Sequence, residues 1–265
     1  SVKFQFEDLL SLTAPPVGLL IFRQGLDSKL DKVIVVIREL QKASSLEIVN
    51  CGPWGPKNRN SQMETRTHGA RNLIVTRLGL GLAALGRPGY INLGHADDLS
   101  RDYDVSAMEQ HAHEVLDAAW DLGIRYYDAA RSYGRAENFL ASWLRSRAID
   151  PDSVTVGSKW GYTYTADWNV TVEHHEIKEH SLPVLTRQIG ESLGLIGSYL
   201  NLYQIHSATL ESGVLDNSAV LSELARLRDN GLAIGLSVSG PAQSETLLRA
   251  MAIEFDGRPW FTAVQ

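Results

Sequence analysis

From residue 73 onward the chain alternates between two hydrophobic rhythms. Short runs dense in β-branched, aromatic and leucine residues are separated by longer segments in which apolar positions return every three or four residues. The short runs predict strands at 78–85 (LGLGLAAL), 124–128 (IRYYD), 154–159 (VTVGSK), 200–206 (LNLYQIH), 233–237 (AIGLS) and 261–265 (FTAVQ). The longer segments predict helices at 106–122, 136–146, 181–195, 218–230 and 241–251. Their ends carry matching signals: Ser106 with Glu109 reads as a capping box, Gly123 and Gly231 as stops, and Pro183 falls in a first turn. Strict alternation of strand and helix predicts a parallel sheet with helices packed outside it. Open doubly wound sheets and closed barrels both produce this rhythm, so the pattern alone leaves that choice open.

Residues 1–62 follow neither rhythm. Leu26, Leu30, Val33, Ile37 and Leu40 share one helical face, although the β-branched run at 33–37 opposes a helix. Residues 50–62 (NCGPWGPKNRNSQ) are rich in Gly, Pro and Asn and read as a linker. Met63 follows and is a candidate natural start. The expected organisation is an N-terminal extension and linker at 1–62 and a folded domain at 63–265.

Composition narrows the class. With 265 residues, 44% hydrophobic and 21% charged, the chain is an ordinary globular sequence, not a disordered one. A net charge of −6 without a long basic run disfavours nucleic acid and anionic membranes as partners. The longest pure apolar run, 33–37, falls far short of the roughly 20 residues that cross a bilayer. Phe4, Glu7 and Asp8 do not form a secretory leader. The single cysteine, Cys51, excludes an internal disulfide and fits a reducing compartment, so a cytoplasmic location is expected.

Gly79-Leu80-Gly81-Leu82-Ala83-Ala84 matches the dinucleotide fingerprint G-x-G-x-x-G/A. That fingerprint needs a helix opening on its glycines, and Gly86, Pro88 and Gly89 break one. No tyrosine is followed by lysine four residues later, so the pair used by short-chain dehydrogenases is absent. More informative are the carboxyl ends of successive strands. Asp128, Lys159 and His206 each close one, and Tyr133 follows Asp128 by five residues. Seen singly, these are a helix cap, a solvated lysine, a structural histidine and a packed tyrosine. Together, on one end of a parallel sheet, they face one another.

Their chemistry coheres. Carbonyl reduction needs a proton donor for the developing alkoxide. A tyrosine hydroxyl ordinarily titrates near 10, and a neighbouring ammonium favours its ionised form. A buried ammonium in turn needs a carboxylate. Asp128 would hold Lys159, Lys159 would tune Tyr133, Tyr133 would act as general acid, and His206 would hydrogen-bond the carbonyl oxygen. In the long loop at 161–180, Tyr162, Tyr164 and Trp168 either wall a substrate pocket or simply pack. His174, His175 and His180 lack metal-ligand spacing and read as solvated loop residues, so no metal is expected. Ser207 lacks the glycine-flanked elbow of a hydrolase nucleophile.

At this level of detail the chain resembles the aldo-keto reductases. Their Asp-Tyr-Lys-His tetrad is similar in order and strand placement to Asp128, Tyr133, Lys159 and His206, and DAARSYGRAE resembles their Asp-to-Tyr motif. METRTHGARNLIVTRLGLGLAALG resembles their opening hairpin and first strand, IGLS the fifth strand and FTAVQ the sixth. The resemblance implies a parallel (β/α)₈ TIM barrel of aldo-keto reductase type, of which this sequence holds about six strands. It implies a small-molecule carbonyl or alcohol substrate and NADP(H) in preference to NAD(H). Asp128, Ser237 and Gln265 would lie at the cofactor, the last two on its carboxamide. Val238 stands where the family usually has an asparagine that also meets that carboxamide. Two other readings accompany this one: a non-catalytic regulatory or scaffold protein of the same fold, and an inactive fragment. The resemblance says nothing about oligomeric state.

Overall fold

The computed structural model describes residues 63, 65–68, 73–89, 102–255 and 258–265. The helix, linker and extension expected before Met63 lie outside the described residues. A hairpin of β1 (Thr65–His68) and β2 (Leu73–Thr76) comes first. Then β3 (Leu80–Gly81), β4 (Tyr126–Asp128), β5 (Thr155–Trp160), β8 (Leu200–Ala208), β9 (Ala233–Val238) and β12 (Ala263–Val264) form one six-stranded parallel sheet. Between them lie α1 (Val105–Asp121), α2 (Ala136–Ser146), α3 (Leu182–Ile196), α4 (Ser218–Asp229) and α5 (Gln243–Met251). Two small antiparallel hairpins interrupt the alternation: β6 (Tyr162–Tyr164) with β7 (Glu176–Lys178), and β10 (Glu254–Phe255) with β11 (Arg258–Pro259).

The sheet order is β3-β4-β5-β8-β9-β12, which follows the chain without reversal. A doubly wound sheet reverses its order partway across. A single unreversed run, with every crossover on the same face, is the arrangement of a β/α barrel wall. The choice left open by the sequence rhythm is settled in favour of the barrel type.

The two faces divide cleanly. Tyr127, Val156, Trp160, Tyr203, Ile205, Ile234 and Leu236 point outward and pack against Leu140 and Leu144 of α2, Leu185 and Ile189 of α3, and Leu224 of α4. Each such side chain stabilises the fold by about 1.5–3 kcal/mol through burial. Tyr126, Leu202, Ala233 and Ala263 point inward and meet Leu73 and Val75 of β2. The opening hairpin therefore plugs the amino-terminal end of the sheet, and Thr155 Oγ1 donates to the Ile74 carbonyl (2.7 Å) to hold it.

Several local expectations are corrected. The first strand is two residues long, not eight, because 83–85 form a turn. That turn is forced by close approach: the Gly86 carbonyl accepts from the Arg135 amide at 2.6 Å, and a Cβ on Gly134 would sit 2.4 Å from the same carbonyl. Ser106 is not the cap of α1. Asp104 is, accepting from the amides of Ser106 (2.9 Å) and Ala107 (3.2 Å), while Glu109 turns instead to the Ser142 hydroxyl on α2. Pro183 falls in the first turn of α3 as expected, and Ser181, read as the first residue of that helix, instead caps it by accepting from Val184 N. Gly123 (φ +86°) and Gly231 (φ +110°) do stop their helices in the left-handed region. The stretch 161–180 is not a simple loop, since it contains the β6–β7 hairpin.

Candidate active site

Strand periodicity builds the site. Side chains alternate faces every residue, so counting in twos from the apolar inner floor fixes what lies inward at the carboxyl end. Tyr126 leads to Asp128, Gly157 to Lys159, Leu202 through Gln204 to His206, Ala233 through Gly235 to Ser237, and Ala263 to Gln265. Five polar residues thus gather on the inner face at one end of the sheet. Gly157 keeps the middle of this column open: a Cβ there would lie 2.9 Å from the Tyr126 hydroxyl.

Lys159 Nζ and Asp128 Oδ2 form an ion pair, each residue only 2% exposed. Nζ also donates to the Ala129 carbonyl (3.3 Å) and to Tyr133 Oη (3.5 Å). The other carboxylate oxygen of Asp128 accepts from Gln204 Nε2 (3.2 Å) and Tyr126 Oη (3.4 Å). Burial is the largest single influence on Lys159 and lowers its pKa, but the Asp128 carboxylate and the Tyr133 hydroxyl together outweigh it and hold the ammonium above its ordinary 10.5.

Tyr133 reaches the site from the turn after β4. That turn runs alongside β5, with Ala129 N donating to Gly157 O and Arg131 N to Lys159 O. Tyr133 Oη lies 3.5 Å from His206 Nε2, and the two rings meet edge to face at 5.4 Å. Ser132 Oγ sits 3.5 Å from the other nitrogen of His206. One hydroxyl therefore stands between an ammonium and an imidazole. Burial pushes the Tyr133 phenol above 10, and the Lys159 ammonium only partly offsets this. The expectation that Lys159 brings Tyr133 below its ordinary value is thus corrected: desolvation is the larger effect.

Other residues support this turn, and the sequence reading did not single them out. Arg87 Nη1 donates to the Ser132 carbonyl (3.0 Å) and to Glu176 of β7 (3.2 Å), with its guanidinium 5.7 Å from the Tyr133 ring. Arg131 pairs with Glu137 and with Glu191 (2.9 Å). Glu137 is buried in the first turn of α2 and also accepts from Ser158 (2.6 Å) and Ser192 (2.7 Å). A glutamate at an apolar position of a predicted helix was the available signal for it; Arg87 had none.

The stretch 161–180 divides. Tyr162 lies against His206, ring centroids 4.9 Å apart. Tyr164 is half-buried at the far end of β6. Trp168 turns away, its indole N–H donating to the Tyr103 carbonyl (2.6 Å) and its ring packing on Phe139. His174 is exposed as expected. His180 is not: it is buried beside Trp160, and burial lowers its pKa to about 4. Among the described residues no group of three or more His, Cys, Asp and Glu could hold a metal, and no helix is long and apolar enough to cross a membrane.

Ser237 and Gln265 occupy neighbouring inner positions, one register step beyond Leu236↔Val264. Ser237 Oγ accepts from Ser207 N (2.7 Å) and keeps its own hydrogen to donate. Gln265 Nε2 is buried without a partner among the described residues. These two donors suit the oxygen of a primary carboxamide. After Gly79 and Gly81 comes a turn rather than a helix, as the failed fingerprint required. A cavity of about 570 Å³, lined by Leu73, Leu200, Asn201, Leu227 and Leu232 among others, lies at the opposite end of the sheet.

Known proteins resemble this chain in sequence and fold. A pyridoxal 4-dehydrogenase from Microbacterium luteolum is 36% identical over 104 residues, 38% of this chain and 25% of that protein. The uncharacterized oxidoreductase YqkF from Bacillus subtilis (strain 168) is 27% identical over 165 residues, 61% of this chain and 45% of that protein. The chain therefore spans less than half the length of either. A solved structure, "Putative aldo-keto reductase from Pseudomona aeruginosa", superposes with a TM-score of 0.51 at 26% identity, covering 69% of this chain and 63% of that one. The model of the aldo/keto reductase family matches residues 77–256, most of the described sheet and its helices. The chain belongs to the aldo/keto reductase family of oxidoreductases.

Proposed function

We propose that residues 63–265 carry the catalytic groups of an NADP(H)-dependent reductase that converts an aldehyde or ketone to an alcohol, or runs the reverse reaction. The observation that carries this reading is the position of Tyr133 Oη, 3.5 Å from both Lys159 Nζ and His206 Nε2. Tyr133 is the general acid: its Oη proton passes to the carbonyl oxygen as the carbon accepts a hydride, and the O–H bond of the alcohol forms as that of the phenol breaks. Lys159 stabilises the phenolate left behind, and Asp128 keeps Lys159 charged. His206 hydrogen-bonds the carbonyl oxygen and holds it beside Tyr133. Tyr162 lines the site next to His206.

The bound dinucleotide supplies the hydride. Ser237 and Gln265 would hold its carboxamide, with Asp128 close by, as their donor sets allow. NADP(H) over NAD(H) follows the family resemblance, and parallel titrations with the two dinucleotides test it. A cytoplasmic setting is part of the proposal, supported by the lone Cys51.

Tyr133→Phe removes only the hydroxyl. Oxidation of NADPH with a panel of aldehydes should slow by about 10²–10⁴-fold, while NADPH affinity, followed by fluorescence titration, stays unchanged. Turnover within twofold of the parent would overturn the assignment.

A further inference from the structure

β8 does not run straight through His206. Its pairing with β9 is regular from Leu202↔Ala233 to Ile205↔Leu236, then shifts so that Ala208 faces Val238. By parity Ala208 belongs with inward-facing His206, yet it packs in the outer cluster. Ser207 makes this possible by adopting φ +52°, a left-handed conformation that a non-glycine residue takes only when its surroundings enforce it. A bulge of this kind re-aims the side chain beside it and frees backbone groups from the ladder.

Three side chains from outside β8 take up those groups. His180 Nε2 lies 2.9 Å from the His206 carbonyl oxygen, and Lys178 Nζ donates to the next carbonyl, that of Ser207, at 2.7 Å. The Ser207 amide donates to Ser237 Oγ at 2.7 Å. Both carbonyl contacts come from the end of the β6–β7 hairpin, whose Tyr162 ring also lies against His206. His180 has a seat made for it: it rests edge to face on Trp160, and a Cβ on Gly161 (φ +105°) would come 2.2 Å from its Cδ2. Buried and neutral, His180 offers one N–H, and the His206 carbonyl is the acceptor within reach.

We infer that His180, with Lys178, is a positioning residue that holds the His206–Ser207 bulge and so sets the direction of the His206 imidazole. Neither residue touches a reacting group; both act through backbone carbonyls. This rests on the proposed reductase reading, in which His206 orients the carbonyl oxygen. Its content is that the hairpin is a structural arm of the site rather than a surface insertion.

The test uses the full chain, NADPH and 4-nitrobenzaldehyde as probe substrate. His180→Phe keeps ring size and burial but cannot donate, and His180→Gln keeps a donor near the Nε2 position. His180→Phe should lower kcat roughly 10- to 100-fold, the cost of a small misplacement, with the Kd for NADPH unchanged and His180→Gln recovering most of the loss. In a His206→Ala background, His180→Phe should have no further effect, because the two act as one unit. Amide exchange across residues 205–208 should quicken in His180→Phe and return in His180→Gln. A His180→Phe loss that persists undiminished in the His206→Ala background would reduce the role to general stability and overturn the inference. Unaltered exchange at 205–208 would overturn it whatever the kinetics. Retained turnover in Tyr133→Phe, by contrast, would overturn the reductase reading and leave the exchange result standing.

Discussion

Asp128→Asn removes one charge and almost no volume, which makes it the most direct probe of the buried pair. Three donors converge on the Asp128 carboxylate: Lys159 Nζ, Gln204 Nε2 and Tyr126 Oη. An asparagine presents one oxygen and one NH₂ group there, so at least one donor faces another donor in either orientation. Lys159, 2% exposed, is left without its counter-charge. Breaking a buried pair from one side costs about 3–5 kcal/mol. At about 2–4 °C per kcal/mol for a domain of this size, Tm at pH 7 should fall by roughly 6–20 °C. The pH dependence sharpens the test. In the parent, the folded pKa of Lys159 lies above 10.5, so the pair contributes fully below 10.5 and is lost only as pH rises through the higher folded value. In the variant the Asp128 charge is gone, and burial, the largest single influence, opposed only by Tyr133, brings Lys159 below 10.5. The variant therefore regains stability as pH rises and the ammonium sheds its proton. Thermal melts by circular dichroism at pH 7 and pH 10 should show a large deficit that narrows at the higher pH. A drop under about 3 °C at pH 7, or an equal deficit at both, would refute the reasoning.

Two further outcomes follow from the titrating groups. Burial holds Tyr133 above 10, so the acid form dominates through the neutral range; reductive kcat should be level from pH 7 to 9 and fall above 10, while alcohol oxidation gains with pH, and a reductive limb near pH 7 would implicate another group. His180 is lowered from 6.5 to about 4 by burial, so its neutral form contributes stability fully above 6.5 and loses it as pH falls through 4; melts between pH 7 and 4 should decline more steeply in the parent than in His180→Gln, and superimposable profiles would contradict this burial.

The strand–helix alternation and its parallel consequence were legible because each strand has a continuous outer face of Tyr127, Val156, Ile205 or Leu236 against leucine-bearing helices. The convergence of Asp128, Lys159 and His206 was legible because each lies at or near the carboxyl end of its strand, on the same face. What escaped is governed by contacts distant in sequence. The β6–β7 hairpin has three residues per strand, too short for period-two alternation to stand out among the polar residues of 161–180. His180 reads as polar and exposed until Trp160 and the His206 carbonyl enclose it. β3 shrinks because Gly86 must meet Gly134, a constraint carried by backbone atoms with no side-chain pattern. Ser106 lost the cap of α1 to Asp104, two residues earlier, an ambiguity inherent when two good capping residues lie within one turn.

The inward column at Asp128, Lys159, His206, Ser237 and Gln265 exists only by counting in twos from the floor of the sheet. Substitutions leave that count untouched, but a single-residue insertion or deletion within β4, β5, β8 or β9 inverts it. Losing one residue between Gly157 and Lys159 would send the ammonium toward the helices and bring an outward hydrophobe into the mouth of the sheet. Length change is thus far more dangerous here than sequence change, except where β8 already carries its extra residue. Variation by indel in homologous chains should be confined to the connecting segments, which makes gap placement within the strands a sensitive criterion for aligning them.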